Sequence, residues 1–169
     1  MADFIQRSQS EFEENIIQVN RVSKKTKGGN KIGFSVLAVV GDRKGRVGVG
    51  LGKAPDVASA IRKGVSAAKK GLITVPIVKD SIPFGTYIKL GAARILLKPA
   101  PVGSGIIAGG AVRSVVAAAG IHNISSKVLG TGNQVSNVYA AVEALRRIGQ
   151  MHEKKLKAQN SKQRATPAN

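Results

Sequence analysis

The sequence contains no cysteine and no tryptophan, and acids are scarce: Asp and Glu together number 9. Without cysteine there is no disulfide framework and no thiolate metal site, which suits a reducing compartment. Four phenylalanines and two tyrosines, scattered, argue against a module that stacks unpaired bases on an aromatic platform. Long apolar runs are missing too, because Arg, Lys or clustered Gly interrupts each one, so no segment reads as a membrane span. The first 15 residues are polar and acidic, unlike a signal peptide. These features point to a cytoplasmic protein.

What is present is positive charge. Lys and Arg number 27, giving a formal net charge of +18 over 169 residues, while 43% hydrophobic content supports a packed core. Only the first 19 residues are net acidic, through Asp3, Glu11, Glu13 and Glu14; every later segment is basic. Charge of one sign spread along a whole chain implies a polyanionic partner.

The stretch around which the chain is organised is GDRKGRVGVGLGKA, residues 41–54, with five glycines beside Arg43, Lys44, Arg46 and Lys53. Residues 32–40 before it and 46–51 within it read as two strands, so 41–45 is a hairpin turn. A glycine-rich basic tip lets a polyanion's backbone come close and offers cations to its phosphates; a plain hairpin on a basic surface fits equally. A P-loop is excluded, since Val47 and Ala54 stand where it needs Gly and Ser or Thr.

The remaining chain divides around this stretch. Residues 1–12 read as a flexible leader, 14–23 as a first strand and 24–30 (KKTKGGN) as a basic loop. Pro55 suits the first position of a helix, and Val57, Ile61, Val65 and Ala68 recur at helical spacing. Residues 13–71 are thus a β-β-β-α unit. Residues 72–78, 86–90 and 93–98 read as strands, 111–119 as a helix, 121–128 as a strand, and Asn133 caps a last helix. Residues 72–149 are therefore a β-β-β-α-β-α unit, and 150–169 a frayed basic tail. The class is α+β, two small α/β-layered domains.

Catalytic chemistry has no cast. GSGIIA at 103–108 matches a loose dinucleotide pattern, but no Asp or Glu occurs between Asp80 and Glu143 to hold a ribose or a metal. The loop reads either as a helix start facing a phosphate or a neighbouring protein, or as a structural turn. His122 and His152 lack companions at ligand spacing, and Ser104, Ser125 and Ser126 lack a base. No cofactor and no metal are expected.

Four segments together resemble the bacterial small ribosomal subunit protein five family: VNRVSKKTKGG, FSVLAVVGDRKGRVGVGLGKA, LLKPAPVGSGIIAGGAVR and AGIHNISSKVLG. The likeness covers residues 11–149 in consistent order. It implies a first domain like a double-stranded-RNA-binding domain without its first helix, then a two-layer α/β domain. It also implies binding to small-subunit ribosomal RNA, subunit assembly, a place near the messenger entry path and a part in decoding accuracy. The implied RNA-binding residues are Arg21, Lys24, Lys25, Lys27, Gly28, Gly29, Arg43, Lys44, Arg46 and Lys53. Residues 21–29 resemble a loop implicated in spectinomycin resistance. Gly109, Gly110 and Arg113 match a contact with small-subunit protein four, and protein eight is a further implied neighbour. Phe84, Gln134 and Tyr139 depart from the family's usual residues, and Arg43 and Lys44 make the tip more basic than usual. Two other readings stay open: a general nucleic-acid-binding or RNA-chaperone protein, and a small-molecule kinase, which the missing acids oppose.

Overall fold

A computed structural model of the chain describes residues 11–164. Three strands, β1 (Glu13–Thr26), β2 (Gly29–Gly41) and β3 (Arg46–Ala54), lead into helix α1 (Val57–Lys70) and a two-residue strand β4 (Ile73–Thr74). These strands form one sheet in the order β1-β2-β3-β4, antiparallel throughout. The second sheet holds β5 (Thr86–Leu90), β6 (Ala93–Pro99), β7 (Ile106–Ile107) and β8 (Ile124–Val128), in the order β5-β6-β8-β7. Helices α2 (Gly110–Ala119) and α3 (Gln134–Arg164) complete the chain and pack between the two sheets.

The middle of β2 is buried on both faces, because side chains alternate across a strand. Val36, Ala38 and Val40 face α1, against Ala60, Val65 and Ala68. Leu37 and Val39 face the other way, into a core shared with Ile95 and Leu97 of the second sheet, Val115 and Val116 of α2, and Leu145 and Ile148 of α3. One core therefore spans both sheets, and neither sheet's inner face is closed without the other.

Strand β3 carries Gly48, Gly50 and Gly52 on the α1 side. A Cβ on any of them would run into the carbonyl oxygen of Ala68, Gly64 or Ala60. Glycine at every second position lets the helix backbone lie almost directly on the strand. The expectation that these glycines open the chain to an RNA backbone is corrected here: the backbone they admit is that of α1.

Several local readings also change. Pro55 is not in the first turn of α1; Asp56 is the N-cap, its carboxylate accepting from the Ser59 N–H at 3.1 Å. The strand expected over 72–78 shrinks to β4, which joins the first sheet by pairing with β3. The basic loop expected over 24–30 is a regular hairpin: Thr26 pairs with Gly29, leaving Lys27 and Gly28 as the turn. Residues 150–164, expected as a frayed tail, continue α3. Residues 150–159 are mostly exposed and mostly polar, so no apolar period marks them, but Ala, Lys, Gln and Leu favour helix. Of the expected leader, residues 1–10 lie outside the described residues, and Phe12 packs beside Ala38, Val40 and Val65.

Candidate nucleic-acid interface

Two basic turns lie at opposite ends of β2. At one end is the β1–β2 arm, which extends beyond Ala54, the last residue of β3 to pair with β2. Arg21 pairs with Phe34 there, and the five residues from it to Thr26 project by about 17 Å at an ordinary strand rise. Ladder register assigns the cations to faces. Lys24 sits opposite Lys31 on the face that also carries Lys53; Arg21 and Lys25 lie on the other, and Lys27 is at the turn. All are exposed, and none forms an ion pair with a described carboxylate.

Where β3 leaves β2, an open groove of about 490 Å³ is lined by Val22, Lys24, Lys31, Phe34 and Lys53, with no acid in its wall. The groove brings together Lys24 and Lys53, which lie far apart in sequence. It adds Lys31, which the sequence reading missed; the signal for it was its register opposite Lys24, which requires the turn to be known. Gly29, at φ +127°, takes a backbone form that favours glycine, whereas a Cβ on Gly28 would meet nothing within 4 Å.

At the other end of β2 is the turn that the sequence singles out, and it is not free. The Arg43 N–H donates to the Ala118 carbonyl at 3.0 Å and the Gly45 N–H to that of Ala119 at 2.9 Å. Gly120 caps α2 at φ +84°, and a Cβ on it would fall 2.0 Å from the Arg43 carbonyl oxygen. The turn is thus seated on the C-terminal end of α2. Its cations are also engaged. Arg43 grips Glu13 with Nε and with Nη2, the latter at 2.9 Å, and Arg46 pairs with Glu11 and with Asp42. Arg46 also lies over the Phe12 ring, 5.0 Å from its centre. Lys44 is exposed and carries no such pair among the described residues.

Asp42 organises this turn. Its Oδ1 accepts from the N–H groups of Lys44 and Arg46 at 2.8 and 2.9 Å, and its Oδ2 from Arg46 Nε at 2.7 Å. Burial alone would raise its pKa, but the hydrogen bonds from Arg46 and Lys44 outweigh it and hold the carboxyl below its ordinary range. Glu13 is likewise lowered, chiefly by its hydrogen bond from Arg43.

The residues expected at a protein interface lie in the second sheet's part of the molecule. Gly109 is the N-cap of α2, and Gly110 is its first residue. Arg113 Nη2 donates to the Ile106 carbonyl at 3.1 Å. Because the Gly105 carbonyl accepts from Ile124 of β8, the next carbonyl points out of the sheet, so Arg113 covers the open edge of β7. This gives the arginine an intramolecular reason to stand in a helix's first turn. In the 103–108 loop the N–H groups of Gly103 and Gly105 both donate to the buried Asn123 Oδ1, which gives that part of the loop a structural role. Among the described residues no group of His, Asp or Glu could hold a metal, and no helix is long and apolar enough to cross a membrane.

Comparison with known sequences matches residues 12–76 to the N-terminal domain of ribosomal protein S5 and residues 88–158 to its C-terminal domain. The chain belongs to the ribosomal protein S5 family. Two relatives, each named small ribosomal subunit protein uS5, come from Thermosynechococcus vestitus and Chloroflexus aurantiacus. Both are 50% identical, over 138 and 143 residues, covering 81% and 85% of this chain and 79% and 80% of theirs. The S5 match spans both sheets, and thus both the arm and the seated turn.

Proposed function

We propose that this S5 family member grips the phosphate backbone of small-subunit ribosomal RNA with its β1–β2 arm. Family membership makes the chain a structural constituent of the small ribosomal subunit rather than an enzyme, acting in the cytoplasmic ribosome. The observation that carries the arm assignment is the state of its cations: Arg21, Lys24, Lys25, Lys27, Lys31 and Lys53 are exposed, and none has an ion-pair partner among the described residues. Such cations on a paired strand hairpin meet phosphates without first breaking an internal ion pair.

Arg43 and Arg46 are secondary contacts in this reading, since phosphate must displace Glu13 and Glu11 to reach them; Lys44 is open to it. Support for subunit assembly and a role near the messenger entry path follow from the same RNA contact. Contact with small-subunit protein four, and through it an influence on decoding accuracy, belongs to the surface around Gly109, Gly110 and Arg113; small-subunit protein eight is a further neighbour in this reading. Spectinomycin response belongs to the arm.

The test replaces Lys24, Lys25 and Lys27 together by Gln and measures affinity for small-subunit ribosomal RNA across salt concentrations. Each lost phosphate contact lowers the magnitude of the salt slope by about 0.7–0.9. The melting temperature of the free protein stays within a degree or two of the parent, because exposed arm lysines contribute little to the core. An unchanged slope refutes the arm as the grip.

A further inference from the structure

Acids are few in this chain, yet Glu11, Glu13 and Glu14 stand close together in sequence. Each is paired with a cation far along the chain. Glu11 holds Arg46 across 35 residues, Glu13 holds Arg43 across 30, and Glu14 holds Lys69 across 55. Among the described residues the other ion pairs are local, joining Asp42 to Arg46 and Glu143 to Arg146.

Phe12 anchors the segment. It packs beside Ala38, Val40 and Val65, and the Arg46 guanidinium lies 5.0 Å from its ring centre. Glu13 and Glu14 open β1 opposite Gly41 and Val40, and alternation sends their side chains to opposite faces of the sheet. Glu13 thereby meets the seated turn, and Glu14 meets Lys69 Nζ at 2.8 Å in the last turn of α1.

At α1 the carboxylate sits in a basic groove. The groove, about 480 Å³, is lined by Arg62, Lys69, Lys70 and Ser66, and Glu14 is the acid in its wall. At the turn, Asp42 takes Arg46 Nε and leaves Nη2 to Glu11. Arg43 gives both Nε and Nη2 to Glu13 in a forked pair, the geometry that an arginine also offers a phosphate. In all three places a carboxylate stands where a phosphate's oxygens would stand.

We infer that residues 11–14 are an autoinhibitory clasp, an internal phosphate mimic that keeps non-cognate RNA off the seated turn and the end of α1. The inference rests on the RNA-binding role proposed for the arm and adds a control on where RNA does not bind. The pairs are too exposed to act mainly as staples: their side chains are between 39% and 69% exposed, and such pairs are screened by salt and add little to stability. They oppose RNA all the same. A phosphate that reaches Arg43, Arg46 or Lys69 must displace a carboxylate tethered to the same chain, which is present at high effective concentration and repels it. The arm has no such acid, so RNA gains its first contacts there.

The test uses the full chain. Glu11→Gln and Glu14→Gln are combined, with Phe12 and Glu13 kept to hold the segment in place. A charge-matched control combines Asp80→Asn and Glu153→Gln, acids that form no ion pair among the described residues. Affinity for polyuridylate, a single-stranded RNA of unrelated sequence, is measured across salt concentrations. The clasp variant steepens the salt slope by about 1.4, two freed cations at about 0.7 each, and the control by less than about 0.7. Adding Lys69→Gln to the clasp variant removes about half of the gain, because it deletes one freed cation. A cooperative melt checks that each variant is folded; should the double variant lose it, the single changes, each expected at about 0.7, carry the same test. An unchanged slope, a gain matched by the control, or a gain that Lys69→Gln leaves intact each overturns the clasp. The arm variant is measured beside them. If it loses slope while the clasp variant gains none, the arm stands and the clasp fails. If it keeps its slope while the clasp variant steepens, the clasp stands and the arm assignment fails.

Discussion

The two turns at the ends of β2 are alike in composition and opposite in circumstance. Residues 24–30, KKTKGGN, and 41–46, GDRKGR, both combine glycine with closely spaced cations. The first projects past the end of β3 and leaves its cations unpaired. The second is seated on α2, with its arginines held by Glu11, Glu13 and Asp42. Glycine differs in the same way: Gly28 has open space around it, while Gly120 and Gly41 are pressed against backbone of the opposing element. Positive charge and glycine make the two turns alike in sequence, and only contact with the rest of the fold separates the arm proposed to bind RNA from the joint.

The largest expected effect comes from breaking the joint. Gly120→Ala places a Cβ against the Arg43 carbonyl at a residue whose φ is +84°. Overpacking and backbone strain together are expected to cost about 3 kcal/mol or more in urea denaturation. A loss well under 1 kcal/mol means that the turn does not sit on α2 as described.

Asp42→Asn sharpens the comparison through pH. Folding lowers the Asp42 pKa from its ordinary 3.8, so its carboxylate stabilises the fold fully above that range. This contribution disappears as pH falls through the lower folded value. The variant is expected to lose about 1–3 kcal/mol at neutral pH, because the amide NH2 cannot accept from Arg46 Nε and the bonds from the Lys44 and Arg46 N–H groups lose their charge. It also loses less additional stability than the parent on acidification below 3.8. Parallel stability–pH curves for parent and variant contradict the assignment.

The smallest effects pair one change at each turn. Arg43→Gln is expected to change the RNA salt slope by less than about 0.7, because its guanidinium is already held by Glu13. Gly28→Ala should leave stability within about 0.5 kcal/mol, since nothing lies within 4 Å of the added carbon. A full-contact slope change for Arg43, or a large stability loss at Gly28, would erase the distinction between the turns.

Much of the molecule was legible residue by residue. Alternation and turn residues marked the three opening strands, helical spacing marked α1, and Gly120 marked the end of α2. Elements without a strong apolar period were the ones misread. The arm looked like a loop because lysine and glycine interrupt its pattern, although cross-strand pairing carries it through to Thr26 and Gly29. The far half of α3 looked like a tail because an exposed helix needs no apolar face.

The sequence by itself determined a basic α+β protein without catalytic groups, its family, and most of the cations proposed to meet phosphate. Those follow from composition, short-range periodicity and motif order, which do not depend on what packs against what. Tertiary structure alone decided which cations are free. Glu13 and Arg43 are 30 residues apart, Glu11 and Arg46 are 35 apart, and Lys24 meets Lys53 at one groove only through strand register. It also turned the alternating glycines of β3 from an opening for RNA into a bed for α1, because a glycine records that a backbone comes close and not which backbone it is.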